Sequence, residues 1–447
     1  MENRLFSNKR LVQLIIPLVI EQGLTILVGM CDGVMVSSVG EAAISGVSLV
    51  DMINAVSLVL FAALATGGAV VTSQLLGARR QEDARRSAGQ LVLMAFTLGV
   101  AAMALCLIFA RGLLKLFFGS IDESVMDAGL IYLRITALSF PFIALYNAGA
   151  ALFRSTGNSK ISMQVSLLMN AINIVGNALC IFVLKMGVAG VAVPTVVSRA
   201  VAAVLILALA TRRDQELYLQ MQTLYPVDRK MMGKILRIGI PSACENSFFQ
   251  FGRLVVVSMI ALFGTTQTSA NAVANTLDSM GIVIGQAMGL AMVTVVGQSV
   301  GAGDKEQATY YVKKLMFWSY LLLGIVNTLI ILFADQLIGL YSSLTPETVD
   351  LTRKLVWIHA GAAIVLWATS FVLPNALRAA NDVKFTMWVG IFSMLVCRIF
   401  GSWLLCVHFG LGAVGVWIAM VTDWVCRTSF FVPRVLSGKW KTKYKPD

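Results

Sequence analysis

The sequence predicts an all-α polytopic membrane protein with 12 transmembrane helices in two pseudo-symmetric six-helix lobes around a central cleft. Three observations predict this fold class: the composition, a series of long apolar segments and an internal repeat. Of the 447 residues, 58% are hydrophobic and only 13% are charged, and the mean hydropathy is +0.81. Soluble domains carry about 25% charged residues. The composition therefore excludes an ordinary soluble enzyme.

The apolar segments are long enough to be membrane-spanning helices. A helix needs about 20 apolar residues to cross the hydrocarbon core, where only helices and closed barrels satisfy the backbone. Twelve such segments lie at about 11–38, 44–74, 88–110, 128–152, 161–184, 188–210, 235–263, 267–298, 309–333, 352–377, 383–408 and 411–432.

The distribution of Lys and Arg orients these helices. With a cytoplasmic N-terminus, 25 of the 35 basic residues fall in inner segments, five in outer loops and five within the spans. Because basic residues favour cytoplasmic loops, we expect a multi-pass protein of the cell (inner) membrane with both termini in the cytoplasm. The net charge of +12 follows from this topology, so no nucleic-acid partner is expected.

An internal repeat relates the two halves of the chain. At a constant offset of 224 residues, identical residues recur without a gap from position 17 to position 160. The matching pairs include Pro17/Pro241, Glu21/Glu245, Gln74/Gln298, Arg154/Arg378 and Lys160/Lys384. Because each half holds six helices, the halves share one orientation, as in transporters with parallel repeats. The predicted regions are an N-terminal lobe (1–210), a cytoplasmic linker (211–234), a C-terminal lobe (235–433) and a basic cytoplasmic tail (434–447).

The residue inventory excludes several kinds of chemistry. Seven cysteines without paired spacing and only two histidines predict no disulfide framework, no metal site and no cofactor. The phosphate-binding motif GxxxxGK[ST] is absent, so ATP is not expected to drive transport. The protein is expected not to be an enzyme. Its expected partners are small molecules and the lipid bilayer, and a monomer is the expected state.

Asp32 and Glu21 on the first helix are the first candidates for ion coupling. They are 11 residues apart, which places both on one helical face about 16 Å apart along the axis. A charge within the membrane is costly and marks an ion or substrate pathway. Asp32 is therefore interpreted as a site that exchanges a proton for a cationic substrate. For Glu21 a structural role is an equal alternative.

Glu245 repeats Glu21 in the second half, and each follows a proline by four residues. The two acids form either a cation-attracting pair or gate, or a packing feature inherited by duplication. Arg253, two turns after Glu245, is interpreted as its neutralising partner.

Other polar residues in the spans are candidates for the cavity wall. On the second helix of each half an Asp and an Asn lie three residues apart in swapped order, Asp51 with Asn54 and Asn275 with Asp278. They either line the cavity or join helices by hydrogen bonds. The candidate substrate contacts are Met30, Met35, Asp51, Gln250, Asp278 and Trp367. Asn173 and Asn177 on the fifth helix and Thr195 on the sixth form a further polar set. Its asparagines either hydrogen-bond Asp32 or join helices by hydrogen bonds.

Several motifs of the chain resemble those of the multidrug and toxic compound extrusion (MATE) antiporters. The segment 29–36 (GMCDGVMV) is similar to the first-helix signature of that family. The loop 74–78 and its copy 298–302 resemble the family as well, and so do 151–158 and 375–382 after the fourth and tenth helices. The resemblance extends over almost the whole chain.

The resemblance implies export of organic, often cationic, compounds coupled to inward H⁺ or Na⁺. It makes Asp32 the coupling acid, accompanied by Asn173, Asn177 and Thr195. DinF-type members carry an Asp at the position of Asn177, so a relay of two carboxylates is not implied. NorM-type members place a Glu where Phe249 stands and an acid near Trp367. Their sodium site is therefore not supported.

The predicted function is a secondary active multidrug/H⁺ antiporter that works by alternating access, as the two lobes rock about a central site. The coupling ion is expected to be H⁺, with Na⁺ as the alternative. A lipid-linked precursor flippase of the same superfamily is a further alternative, which should show an arginine-lined cavity.

Overall fold

The computed structural model describes residues 4–119, 122–341 and 344–444, and these residues form helices and no strand. The chain divides into two compact units, each described here by itself. The N-terminal unit is Asn8–Ala243. Its helices are α1 (Asn8–Ser37), α2 (Glu41–Gly77), α3 (Gln81–Phe118), α4 (Glu123–Ala137), α5 (Phe140–Ser155), α6 (Ser159–Ala178, continued by a π-helical turn, Leu179–Val183), α7 (Ala189–Ala210), α8 (Met221–Leu224) and the first part of α9 (Arg229–Ala261).

The C-terminal unit runs from Cys244 onwards and includes the N-terminal residues up to Ser7. After the end of α9 it contains α10 (Thr265–Gly301), α11 (Lys305–Leu332), α12 (Ala334–Gly339), α13 (Pro346–Ala362), a π-helical segment (Ala363–Val372), α14 (Leu373–Ala379), α15 (Val383–Ser393), two further π-helical segments (Met394–Phe400 and Trp403–His408), α16 (Gly412–Leu436) and a 3₁₀ turn (Lys439–Thr442).

The helices account for the predicted membrane spans. Within the described residues nine helices are long and apolar enough to cross a membrane, and the bent pair α4–α5 makes ten. The two remaining predicted spans correspond to α9 and α16, which are 33 and 25 residues long. Both are less apolar because each carries an acid and an arginine in its central part, Glu245 with Arg253 and Asp423 with Arg427. The predicted count of twelve stands with these two helices included.

One predicted span is broken. The sequence predicts a continuous helix over about 128–152, whereas α4 and α5 meet at an angle of 46°. Pro141 lies in the first turn of α5. Proline has no amide hydrogen to donate to the preceding turn, and it is well accommodated at the start of a helix. The chain therefore ends one helix at Ala137 and begins another at Phe140.

The unit boundaries differ from the predicted lobe boundaries because of two sets of contacts. The predicted linker belongs to the N-terminal unit, where the Gln90 amide of α3 donates to the carbonyl oxygens of Thr223 (3.0 Å) and Pro226 (3.4 Å). The segment before α1 belongs to the C-terminal unit, where the Phe6 amide donates to the Tyr311 hydroxyl at 2.8 Å. The tail is described to residue 444, so the predicted basic residue Lys445 lies outside the described residues.

Candidate functional site

Four of the five residues predicted to couple ions in the N-terminal unit, all except Glu21, form one hydrogen-bonded chain. The Asn177 amide donates to Oδ1 of Asp32 at 2.8 Å and to Oδ1 of Asn173 at 3.3 Å. The Asn173 amide donates in turn to the Thr195 hydroxyl at 3.1 Å. The four side chains come from α1, α6 and α7. The hydrogen bond predicted between an asparagine and Asp32 is therefore present for Asn177, whereas Asn173 is linked to Asp32 only through Asn177.

Asn177 also has a free acceptor. Its side chain is fully buried, and its Oδ1 atom has no hydrogen-bond partner among the described residues. Buried polar atoms are normally hydrogen-bonded, and an unsatisfied one calls for an explanation. A protonated carboxyl group can donate to an amide oxygen, whereas an ionised one can only accept. The amide of Asn177 can therefore pair with Asp32 in either protonation state by turning about its terminal bond.

A second acid lies in the same unit as Asp32. Asp51 accepts hydrogen bonds from the Tyr132 hydroxyl at 3.2 Å and from the Asn54 amide at 3.5 Å. Arg199 acts electrostatically on both Asp32 and Asp51, and its guanidinium donates to the Ser139 hydroxyl (2.7 Å). Two acids thus share one arginine, which leaves one negative charge in excess when both acids are ionised.

Glu21 lies in a different environment from Asp32. It is 5% exposed and forms an ion pair with Arg154 at 3.4 Å. It also accepts hydrogen bonds from Ser162 at 2.9 Å and from Tyr146 at 3.3 Å. These contacts bind the acid to α5 and α6. The charge of Glu21 is compensated within the unit.

Glu245 has the equivalent environment in the C-terminal unit. It is also 5% exposed, and it pairs with Arg378 at 2.7 Å and with Arg427 at 3.6 Å. Arg378 is the repeat counterpart of Arg154, so the same ion pair occurs in both halves. The expectation that Arg253 neutralises Glu245 is wrong. Arg378 of α14 and Arg427 of α16 reach the carboxylate of Glu245, whereas the side chain of Arg253 is exposed.

Asp278 pairs with a residue that the sequence analysis did not single out. Its carboxylate contacts Nε2 of His359, whose side chain is almost fully buried. The imidazole packs edge-on against Trp417 and Trp424, with ring centroids 5.8 and 5.0 Å away. One of only two histidines, placed within a span, was the available signal. The pair joins α10 to α13, so Asp278 has an interhelical partner.

The remaining candidate substrate contacts are distributed over both units. In α1, Met30 is 42% exposed and Met35 is buried. Gln250 of α9 is partly exposed. Trp367 is buried, and its ring packs where a Cβ on Gly285 of α10 would otherwise lie.

The family model called MatE matches the chain twice, over residues 17–179 and 241–404. The two matches begin at the proline pair that the predicted repeat relates. Together they cover more than half of the chain.

Individual relatives agree with the family match. The chain is 28% identical to the uncharacterized transporter YisQ of Bacillus subtilis strain 168 over 416 residues, which are 92% of this chain and 90% of that protein. It is 26% identical to the probable multidrug resistance protein NorM of Thermotoga maritima over 443 residues, 98% of this chain and 94% of the relative. The fold matches an outward-facing multidrug resistance MATE family transporter of the MOP superfamily with a TM-score of 0.89 at 23% identity, covering 98% of this chain and 97% of the other.

Proposed function

The chain belongs to the MatE family of membrane transporters, and on this premise we propose that it exports organic, often cationic, compounds in exchange for inward H⁺. It is a multi-pass membrane protein and a transporter rather than an enzyme. The names of two relatives, a probable multidrug resistance protein and a multidrug export protein from Staphylococcus haemolyticus, support a broad range of exported compounds.

The observation that carries this proposal is the environment of Asp32. It is partly exposed and its interaction with Asn177 uses one of its two oxygens. Glu21 and Glu245 are instead buried in ion pairs with arginines. A carboxylate paired with a buried arginine gives up its charge only at a large cost in free energy. Asp32 is therefore the acid best suited to bind and release a proton, and Glu21 and Glu245 hold helices together.

The charge balance around Asp32 supports exchange of one positive charge. Asp32 and Asp51 act on one arginine, Arg199, so one proton or one monovalent organic cation neutralises the group. Proton binding and cation binding then exclude one another, which is the requirement for antiport. Asn173, Asn177 and Thr195 adjust the hydrogen bonds of Asp32 to its protonation state.

The choice of H⁺ over Na⁺ rests on the ligands near Asp32. The hydrogen-bonded chain offers a single carboxylate, two amides and one hydroxyl, and the acids that the sodium site of NorM-type members uses are replaced by Phe249 and Trp367. Na⁺ coupling is the alternative that the experiment below tests.

The proposed transport cycle depends on the two repeated halves of the chain. The two six-helix lobes, 1–210 and 235–433, rock about a central site by alternating access, with the linker 211–234, the tail 434–447 and both termini in the cytoplasm. Asp32 binds a proton from outside, a cationic compound leaves, and the proton is released inside. Met30, Met35, Asp51, Gln250, Asp278 and Trp367 are the proposed contacts of the compound. A proton gradient supplies about 2.3 kcal/mol per charge for each 100 mV.

The test is efflux of ethidium in everted membrane vesicles from cells that express the protein. Transport is driven either by an imposed pH gradient or by an imposed Na⁺ gradient. We expect the pH gradient alone to drive accumulation of ethidium in the vesicles. Accumulation of ethidium driven by the Na⁺ gradient alone would contradict H⁺ coupling.

Asp32→Asn tests the assignment of Asp32 as the residue that binds the coupling proton. It preserves the size of the side chain but cannot bind a proton in this range, so we expect loss of driven transport with normal expression and folding. Asp127→Asn, which changes an exposed acid of α4, is the matched control and should transport like the wild type. Full transport by Asp32→Asn would refute the assignment.

A further inference from the structure

Arg199 is the single charged residue in the sequence of α7, and a serine between α4 and α5 fixes its position. Its guanidinium donates to the hydroxyl of Ser139 at 2.7 Å. Ser139 is fully buried, and it donates its own hydroxyl hydrogen to the carbonyl oxygen of Thr136 at 2.6 Å. The lone pairs of the serine oxygen are therefore free to accept from the arginine. This hydrogen bond holds the charged guanidinium without neutralising it.

Two acids act on this arginine from other helices. Asp32 of α1 and Asp51 of α2 both interact electrostatically with Arg199, and they also interact with each other. In the described part of the chain the donors to the two carboxylates are neutral, namely a tyrosine hydroxyl and asparagine amides. The arginine therefore compensates charge while the carboxylate oxygens stay available to a ligand.

The three charged side chains lie at a surface of the N-terminal unit that a ligand can reach. Asp51 is exposed, and Asp32 and Arg199 are partly exposed. Charged residues within membrane spans face the interior of a bundle or a water-filled cavity rather than lipid. The group is therefore open to a charged compound that enters such a cavity.

The other charges within the predicted spans of this unit do not alter the balance of the group. Glu21 is compensated by Arg154 at 3.4 Å. Arg134 follows Tyr132 by two residues on α4, and two residues correspond to a rotation of about 200°. Its exposed side chain therefore points away from the side of α4 on which Tyr132 contacts Asp51.

The group carries one net negative charge when both acids are ionised and no compound is bound, because Arg199 compensates only one of them. A cation with one positive charge neutralises the group. A dication leaves one positive charge without a partner among the helices, where such a charge is costly. When Asp32 binds a proton, the group is neutral and no longer attracts a cation.

We propose that Arg199 determines the charge of the exported compounds, so that organic cations with one positive charge are transported in preference to dications. The proposal rests on the proposed function and narrows its substrate class. Without the arginine the two acids would carry two negative charges. Dications would then be favoured, and one proton would no longer neutralise the site. Arg199 is therefore a specificity-determining residue, and its role differs from the proton binding assigned to Asp32.

The experiment compares two dyes that share one ring system and differ in charge. Ethidium carries one positive charge, whereas propidium has the same phenanthridinium ring and a second, quaternary ammonium group on its side chain. Both are titrated by their fluorescence, at a mildly alkaline pH, into protein purified in a non-ionic detergent without lipid. We expect the wild type to bind ethidium about tenfold more tightly, because the second charge of propidium finds no partner in the site. Equal affinity or tighter binding of propidium would overturn the proposal.

Substitutions of the arginine test its role directly. Arg199→Gln removes the charge and should shift the preference about tenfold towards propidium. Arg199→Lys retains the charge and should keep the preference for ethidium, although the planar geometry is lost. Arg134→Gln, at an exposed arginine of α4, is the matched control and should behave like the wild type. A purely structural role of Arg199 would weaken the binding of both dyes equally, and that outcome would overturn the proposal.

A double variant tests the charge balance by a gain of binding. Asp32→Asn leaves Asp51 and Arg199 to compensate each other, and it should weaken ethidium binding about tenfold. Addition of Arg199→Gln leaves Asp51 uncompensated and should restore the binding. Loss of a structural arginine would give no such recovery. A double variant that binds ethidium no better than Asp32→Asn therefore contradicts the proposal.

Asp51→Asn keeps the test decisive if the arginine variants misfold. It leaves Asp32 and Arg199 without net charge, so ethidium binding should fall about tenfold, and unchanged binding would overturn the proposal. Binding is measured without a gradient, so its outcome is independent of H⁺ coupling. A preference for ethidium without driven export would contradict the proposed function alone. Driven export without the preference would contradict this inference alone.

Discussion

Glu245→Gln tests whether the repeated glutamates hold the structure or carry ions. The substitution preserves the shape of the side chain and removes one buried negative charge. Glu245 lies between Arg378 at 2.7 Å and Arg427 at 3.6 Å and is 5% exposed. We expect a large loss of stability and no change in the coupling ion.

The size of the expected loss in stability depends on the contacts that Arg378 and Arg427 keep when the charge of Glu245 is removed. Removing one partner of a buried ion pair costs about 3–5 kcal/mol, because the other charge is left uncompensated. Arg378 keeps a hydrogen bond to Asn375 at 2.9 Å, and Arg427 keeps its ion pair with Asp423 at 3.1 Å. The expected loss in the free energy of unfolding is therefore at the lower end, about 3 kcal/mol.

The assay is reversible unfolding in mixed micelles of non-ionic detergent and dodecyl sulfate, followed by circular dichroism. Glu82→Gln is the matched control. Glu82 is 84% exposed and pairs with Arg85 at 3.5 Å, and exposed pairs of this kind contribute about 0–1 kcal/mol. The double variant Glu245→Gln/Arg378→Gln removes both charges of the shorter pair and should recover part of the loss.

Two outcomes would refute this reasoning. One is that Glu245→Gln unfolds at the same detergent fraction as the wild type. The other is normal stability combined with loss of transport driven by the ion gradient that drives the wild type, which would make Glu245 an ion-coupling residue.

Two other substitutions test the site and the packing. Asn177→Ala removes the hydrogen bond to Asp32 and should lower the initial rate of ethidium export about tenfold at equal expression, since a hydrogen bond to a charged group contributes about 1.5–3 kcal/mol. An unchanged rate would contradict a role in transport for the hydrogen bonds that link Asp32, Asn177 and Asn173. Gly285→Ala places a methyl group where the ring of Trp367 lies and should cost about 1–3 kcal/mol in the same unfolding assay. Gly324→Ala, with no atom within 4 Å of the added Cβ, should cost nothing, and equal effects at both glycines would disprove the close contact.

The fold could be predicted from the sequence because a membrane restricts the possible structures. Long apolar segments must be helical in lipid, where no water satisfies the backbone. The break between α4 and α5 was missed, although Pro141 was the available signal. The pairing of Glu21 with Arg154 was also within reach of the sequence, since both residues recur at the same offset in Glu245 and Arg378.

The site was only partly predictable. Residues four apart on one helix, such as Asn173 and Asn177, share a face by geometry alone, and a second helix had only to bring Asp32 next to them. The contact between Asp278 and His359 depends on the rotation of α10 relative to α13, and the hydrophobic period does not fix that angle.

The sequence by itself determined that the protein is a helical membrane transporter with two similar halves. The length of the spans, the distribution of charge and the internal repeat all depend only on the order of the residues along the chain. It also supplied the list of charges that lie within the membrane. Only the tertiary structure decided which of them compensate one another. Glu245 and Arg253 are close in sequence but unpaired, whereas Glu245 and Arg378 are distant in sequence and in contact. The physical reason is that an ion pair needs a separation of a few ångströms, and helix packing, not position along the chain, determines that separation.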